Sequence, residues 1–411
     1  MNILVLSDLH IGATARCKSM TPSNAHTTKT IDEDLLKKLI ARLKADFPII
    51  DFVVLSGDMA DRAEHEQYEH FDAVIGQLEK DLRIPSGRIV FSPGNHDVDW
   101  STLNAVETIH KSGRRWASRY SPIKESTIIK SSLAAGDGDP FDGDYATCWS
   151  FPDIEFITLN TAAKDGPKDE NHPGEISREM LAAVSLMVAT STKAPGTPRI
   201  LLIHHHPIQY ENVFVGWKDF SILQCPVDLI NFCAEQKVDL IIHGHRHQPN
   251  FRQMVSSDGH IVSVLASGSV SAQFPSYVYD NLSNQAHVVT LNGRDDETLA
   301  IKGVLNNLAF SQVNGWRASR RETDGIDGRI AFGSLMTANS LYLLVRKFVV
   351  ERLNTVGHVR MADVIARHDR MNLQPPQVLE AVIKKIKAEL KVEQFGMDAA
   401  NAILVKESSG D

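Results

Sequence analysis

Five short stretches place metal-binding or proton-transferring groups at the end of an apolar run or soon after it: Asp8-Leu9-His10, Gly57-Asp58-Met59-Ala60-Asp61, Pro93-Gly94-Asn95-His96-Asp97, His204-His205-His206-Pro207 and His243-Gly244-His245-Arg246-His247. Aspartate, asparagine and histidine end strands poorly unless something binds them, and neutral imidazole with carboxylate is the donor set of a borderline divalent ion. The candidates are Asp8, His10, Asp58, Asn95, His205, His245 and His247. They are too many for one ion. With one carboxylate shared they divide into two sites, the arrangement that clamps the entering and leaving oxygens of a phosphoryl transfer. The excess of histidine over carboxylate and the absence of a cysteine ligand favour two divalent transition metal ions, Mn, Fe, Zn, Ni or Co with Mn preferred, over Mg or Ca. In Asn95-His96-Asp97 a ligand, a proton donor and a carboxylate to orient that donor are adjacent.

Such groups need rigid elements behind them. Residues 3–7 are an apolar strand, and period-two alternation puts Asp8 and His10 on one side of the extended chain. Apolar runs at 51–56, 88–92, 154–159, 199–203 and 238–242 read as further strands, delivering the remaining polar blocks and, after 154–159, Asn160-Thr161. Helical spacing predicts crossover helices at 31–46, 66–81, 176–190 and 226–236, and another helix at 101–120. Strands alternating with helices over short connections predict a parallel α/β sheet with right-handed crossovers, whose sites lie at the carboxyl ends of strands. Residues 261–266 and 276–291 are expected to extend the sheet, and 121–147 to be irregular. Within the latter, 136–144 has the composition of a calcium loop without its ligand spacing or closing Glu, and reads as a surface loop.

The chain has 411 residues, 43% of them hydrophobic, and a formal net charge of -8, which suits a soluble globular protein of two compact units or of one large unit with an appendage, and argues against wholesale nucleic-acid binding. Its four cysteines lack CxxC spacing, so neither a disulfide framework nor a zinc knuckle is indicated. The first residues have no signal-peptide pattern and no run approaches the ~20 apolar residues of a membrane span. A cytoplasmic protein without a membrane partner is expected. Residues 1–292 are expected as the catalytic unit, 293–338 as a connecting segment, and 339–411 as a small, mainly helical C-terminal domain. In the last, helices at 341–353, 361–367 and 376–390 with a hairpin within 391–405 resemble a winged helix. Lys384, Lys385, Lys387 and Lys391 could there meet nucleic acid or an acidic protein partner.

Taken together, the five blocks resemble those of the calcineurin-like metallophosphoesterases in order and spacing, over roughly residues 1–290. The resemblance implies an α/β fold, a four-layer αββα sandwich with two metals at its centre. Carried over, one ion takes Asp8, His10, Asp58 and His247, and the second takes Asp58 as bridge with Asn95, His205 and His245. His205 is selected because the family's ligand lies two places before the proline. His204 then takes a usually variable position, His206 lines the site, His243 is structural or stands behind the ligands, and Asp61 supports the ligands from behind or the loop rather than binding metal. His96 matches the family's general acid, which protonates the leaving oxygen, with Asp97 holding and charging it. The implied reaction is hydrolysis of a phosphodiester by a hydroxide bridging the ions, with no protein nucleophile. Asp8-Leu9-His10-Ile11-Gly12, Gly94-Asn95-His96-Asp97-Val98-Asp99 and His205-His206-Pro207 look most like the cyclic nucleotide phosphodiesterase branch. A nuclease working with a partner ATPase, and a phosphomonoesterase or protein phosphatase, are the alternatives. A catalytically silent scaffold is the reading from a different class.

Overall fold

In the computed structural model the strands in chain order are β1 (Asn2–Leu6), β2 (Phe52–Leu55), β3 (Ile89–Phe91), β4 (Ala146–Phe151), β5 (Ile154–Leu159), β6 (Arg199–Leu202), β7 (Leu240–His243), β8 (Asn250–Val255), β9 (Ile261–Ala266), β10 (Gln285–Arg294), β11 (Ile301–Ser311) and β12 (Gly315–Ala318). The structure describes the chain apart from residues 24–33, 101–118, 144, 167–171, 192, 195, 211–220, 257–258, 274–282, 375, 397–398 and 407–411. The helix expected at 101–120 and the first half of the strand expected at 276–291 therefore lie outside the described residues. Two compact units result, Met1–Thr290 with Asn306–Gly328, and Leu291–Leu305 with Arg329–Asp411.

The first unit is an α/β sandwich of two mixed sheets. One runs β12-β11-β10-β1-β2-β3, with β10 up to Thr290 and β11 from Asn306 belonging to this unit, and the other runs β4-β5-β6-β7-β9-β8. In the first sheet β1, β2 and β3 are parallel, with Leu4 opposite Val53 and Val54 opposite Val90, and β10 closes the far side of β1 in antiparallel register. Ile3–Leu6 and Phe52–Leu55 are buried on both faces, which is why their sequences read as unbroken apolar runs rather than alternating ones. In the second sheet β5, β6, β7 and β9 are parallel while β4 and β8 are antiparallel edges.

The sheets meet through aromatic side chains: Phe52 of β2 lies 4.8 Å from Phe151 and 5.1 Å from Phe156, ring centre to ring centre. Thr158 Oγ1 of β5 also donates to the Phe91 carbonyl of β3 at 2.6 Å. On the outer face of the second sheet, helices Arg178–Thr190 and Pro226–Glu235 bury Met180, Val184, Leu229 and Phe232 against Ile157, Leu201, Ile241 and Val264. Ser177 caps the first of these by accepting from Met180 N, replacing an amide partner the helix itself cannot supply. On the other side, helix Leu35–Asp46, capped by Asp34, buries Leu35, Leu36, Leu39, Ile40 and Leu43, and Trp316 Nε1 of β12 donates to the Leu35 carbonyl at 2.8 Å. Each such leucine removed from water contributes about 1.5–3 kcal/mol.

Two expectations differ from what is found. Residues 121–147 are not irregular throughout, since Ser121–Glu125 and Thr127–Ala134 are short helices. The stretch 293–338 is not a plain connector: β10 continues to Arg294, β11 and β12 follow, and Arg329–Phe332 is a further strand. β11 alternates buried and half-buried positions along most of its length, so its outward residues made the sequence look merely polar.

In the second unit, helix Ala338–Val356 is followed by strand His358–Arg360, helices Met361–Arg367, Asp369–Asn372 and Pro376–Leu390, and a hairpin of Val392–Phe395 with Ile403–Lys406. The first strand pairs with the last, giving a three-stranded sheet. Leu341, Val345, Val349, Val359, Val382, Ile386 and Leu404 form its core. Among the described residues no helix is long and apolar enough to cross a membrane.

Candidate metal centre

Every polar block follows the carboxyl end of a strand: β1 leads to Asp8 and His10, β2 to Asp58 and Asp61, β3 to Asn95–Asp97, β6 to His204–His206, and β7 to His245 and His247. Neighbouring blocks are laced together by backbone. Asp8 N donates to Gly57 O at 3.0 Å, His10 N to Asp58 O at 3.0 Å, and His245 N to Asp8 Oδ1 at 3.1 Å.

The local backbone is strained where the donors sit. Asp8, His10, Asp58, His245 and His247 have φ of 50°, 46°, 51°, 76° and 56°. Extended-chain alternation therefore does not align Asp8 with His10; two left-handed residues do. A side chain in that region costs on the order of 1 kcal/mol or more, and such residues persist and cluster where function requires them. Glycines supply the remaining room. A Cβ on Gly94 would lie 2.2 Å from Asp58 Oδ1, and one on Gly244 2.6 Å from Asp8 Oδ2.

Among the described residues the donors gather into three overlapping groups, one of them His10 with Asp61 and His96. Asp8, His10, Asp58 and His247 each offer an atom within 4.8 Å of the others, as do Asp58, His204 and His245. Asp58 belongs to both of these. In the first, His10 Nε2 and His247 Nε2 are 3.1 Å apart, and His247 Nε2 is 3.3 Å from Asp8 Oδ1. In the second, Asn95 Oδ1 lies 3.0 Å from His245 Nδ1 and 3.1 Å from His204 Nε2. His205 packs on His245 with ring centres 4.5 Å apart, and its Nδ1 is 2.8 Å from Thr161 Oγ1. Its Nε2 is buried without a hydrogen-bond partner, as expected of a nitrogen reserved for a metal.

Protonation agrees with that fit. Burial, reinforced by neighbouring histidines, holds His205 and His245 well below the usual imidazole range, so both are neutral. Burial would raise Asp58 and Asp8, yet the facing histidines, His204 and His96 for Asp58 and His247 for Asp8, outweigh it and keep both carboxyls low. Neutral imidazoles with ionised carboxylates are the forms that bind divalent ions; His204 departs from this, because burial would lower it but Asp58 outweighs burial and raises it to about 9.

His96 stands beside the donors, its ring 4.6 Å from that of His10. Its Nδ1 lies 2.7 Å from the Asp61 carbonyl, which can only accept, so Nδ1 carries hydrogen and Nε2 is the atom left to act. Asp97 does not hold or charge His96, contrary to the expectation. Its Oδ1 accepts from Met59 N, Ala60 N and Tyr68 Oη at 3.0, 3.1 and 2.7 Å, and its Oδ2 from Gly94 N at 2.8 Å. It ties the loop after β3 to the loop after β2. Four donors converge from three segments, and the adjacency of Asp97 to His96 in sequence carries no geometric weight.

Asp61, expected to support the loop, accepts from Thr14 Oγ1 at 2.6 Å and lies 4.0 Å from His10 Nδ1. His243, expected as structural, is buried with Nε2 2.6 Å from Tyr210 Oη, and His206 is fully buried with its ring 6.1 Å from that of His245. A cavity of about 950 Å³ opens beside His96, lined among others by Thr14, Arg62, Glu64, Trp100 and Pro122. The sequence reading missed His204 and Thr161, whose hydroxyl also accepts from His204 N and His205 N. Thr161 was placed by the sequence at the end of the 154–159 run, as the other blocks end theirs, but was given no role.

The family model described as calcineurin-like phosphoesterase matches residues 1–249, through all five blocks. The chain belongs to the calcineurin-like phosphoesterases. A probable cyclic nucleotide phosphodiesterase of Rhodopseudomonas palustris is 23% identical over 252 residues, which cover 61% of this chain and 72% of that protein. Among solved structures, a purple acid phosphatase from yellow lupin seeds is 13% identical with a TM-score of 0.46, over 77% of this chain and 52% of its own. This phosphoesterase thus spans about half of the lupin enzyme. A dimetal phosphatase of Danio rerio is 13% identical with a TM-score of 0.41, over 75% of this chain and 95% of its own. The family match stops at residue 249, before β8, so β10, which flanks β1, lies beyond the matched residues.

Proposed function

We propose that this phosphoesterase hydrolyses small phosphodiesters, cyclic nucleotides among them, at two metal positions sharing Asp58. Asp8, His10, Asp58 and His247 would hold one ion, and Asp58, Asn95, His205 and His245 the other. The observation that carries this reading is the place of Asp58, which gathers with Asp8, His10 and His247 on one side and with His245 on the other, with His96 alongside. Divalent ions there supply charge neutralisation at the phosphoryl oxygens and acidification of water. The chain's own residues do the rest. Asp58 is held from one side by His96 N, which donates to Oδ1 at 2.8 Å. His96, fixed through Nδ1, offers Nε2 to protonate the departing oxygen. The cavity beside His96 gives the leaving group a place, with Trp100 as a flat wall and Arg62 as the cation.

The similarity to a probable cyclic nucleotide phosphodiesterase supports the small-diester reading. The exposed lysines Lys384, Lys387 and Lys391 of the second unit keep nucleic acid as a partner class to be assayed beside it. The test is an activity panel on the metal-reconstituted full chain, across Mn, Zn, Ni, Co and Fe, with 3′,5′-cyclic nucleotides, bis-p-nitrophenyl phosphate, phosphomonoesters and DNA. Turnover of cyclic and linear diesters above monoesters is the expected result. Turnover confined to DNA or to monoesters would replace the reading.

A further inference from the structure

His204 falls at a position that the motif pattern leaves variable, yet its ring is fully buried at the meeting point of three motif loops. Nδ1 lies 2.9 Å from the Ser56 carbonyl, at the end of β2. Nε2 lies 3.2 Å from Asp58 Oδ2 and 3.1 Å from Asn95 Oδ1. One imidazole from the second sheet therefore touches the two first-sheet groups that the second metal position needs. Gly57 makes this possible: a Cβ there would sit 2.2 Å from His204 Nδ1 and 2.7 Å from its Cγ. The absence of a side chain at 57 and the presence of a ring at 204 are one packing solution.

We propose that His204 is a positioning residue, which pins Asp58 and Asn95 from below so that their remaining lone pairs face the metal positions, and is not itself a ligand. This rests on the reading that Asp58 and Asn95 are ligands. The chemistry is the usual one for groups behind a metal site: an outer hydrogen bond fixes the orientation of a carboxylate or amide and raises affinity without entering the coordination sphere. His205, by contrast, has its buried Nε2 without a partner and is the imidazole with a nitrogen to spare. The Ser56 carbonyl anchors the His204 ring on the side away from Asp58 and Asn95.

The experiment compares wild type, His204→Leu, His204→Asn and His205→Asn as full-length proteins. Metal stoichiometry is measured at saturating Mn, Mn affinity by chelator competition, kcat and KM on bis-p-nitrophenyl phosphate, and thermal unfolding without metal. His204→Leu is expected to keep two equivalents at saturation, bind Mn about 10- to 100-fold more weakly, and lose kcat with little change in KM. His204→Asn, which retains a short donor, recovers a substantial part of both losses, while His205→Asn loses one equivalent outright. A merely structural histidine would lower the unfolding temperature of the metal-free protein and leave Mn affinity unchanged, and that result overturns the proposal. Loss of an equivalent in His204→Leu or His204→Asn at saturation would make it a ligand and overturns it as well. Should His204→Leu not fold, His204→Asn with wild-type affinity and kcat overturns it. A wild type that binds fewer than two equivalents brings down the dinuclear reading and this proposal together, whereas failure in the variants alone spares that reading.

Discussion

Replacing Gly94 by alanine isolates how tightly the centre is packed. Its φ and ψ of -107° and -178° are extended backbone open to any residue, so the substitution carries no conformational strain of its own. The whole cost comes from the added methyl, which would lie 2.2 Å from Asp58 Oδ1, 2.4 Å from Asp58 N and 2.9 Å from Asp58 Cγ. A side-chain oxygen can swing away, but a backbone nitrogen cannot. Reaching ordinary contact with that nitrogen requires the loops after β2 and β3 to part by roughly 1 Å, against a close-packed interior. Overpacking of this kind costs about 1–3 kcal/mol, and losing the His96 N bond to Asp58 Oδ1 adds about 1 kcal/mol. A shift of that size in a bridging ligand should lower kcat about 10²-fold or more. Two further glycines calibrate the effect. Gly76 has nothing within 4 Å of its would-be Cβ and lies inside helix His65–Leu82, so Gly76→Ala should stabilise by about 0.5–1 kcal/mol. Gly143 also has open space but a φ of 61°, so Gly143→Ala should cost about 1–2 kcal/mol with kcat unchanged. Denaturant titration and kcat on a small diester for the three variants decide the matter. Wild-type turnover and two bound metals in Gly94→Ala would refute the packing argument, as would a Gly143→Ala loss of the same size.

Other outcomes follow from the same geometry. Asp58→Asn should bind fewer than two metal equivalents by elemental analysis and lose turnover; two equivalents with normal activity would remove Asp58 as the bridge. His96→Ala should keep its metals yet lose roughly 10²-fold in kcat on poor leaving groups and less on p-nitrophenolate; an equal loss on both would give His96 another task. Asp97→Asn turns an acceptor toward the Gly94 and Ala60 amides into a mismatched amide, so it should cost about 2–3 kcal/mol in stability as well as activity, whereas a carboxylate serving only His96 would spare stability. Deleting residues 338–411, which contain most of the second unit's core and none of the centre's donors, should leave hydrolysis of bis-p-nitrophenyl phosphate near wild type. Collapse of that activity in a folded, metal-loaded truncation would sink this expectation.

The strands that carry the donors were legible because both faces of β1 and β2 are buried, and an unbroken apolar run has few other uses. The donors themselves were legible because carboxylates and imidazoles crowd at the ends of such runs. Asp97 was misread because its partners are an amide pair 38 and 37 residues away and a tyrosine 29 residues away, which no local pattern reports. His204 was set aside because the resemblance puts the ligand two places before the proline; that its ring turns inward depends on the Ser56 carbonyl, 148 residues away in the chain, and on the gap at Gly57. The left-handed conformations at Asp8, His10 and Asp58 were invisible for a related reason, since those residues rarely adopt them unless the surrounding loops dictate it. The helices of 121–134 did have a signal, Pro122 in the first turn of one and the Ser126 cap of the other, but both are short.

The position of β1 has a consequence for synthesis of the protein. β1 is an interior strand, with β2 on one side and β10 on the other. β2 arrives within about 50 residues, but β10 follows β1 by about 280, which at common translation speeds is roughly 15–60 s. For that interval Ile3–Leu6 has one row of unpaired amides and carbonyls beside fully apolar side chains, a template for pairing with another nascent chain. A recombinant fragment ending at residue 249, where the family match stops, would make that exposure permanent. Such a fragment contains every proposed metal ligand and should still be recovered as aggregate.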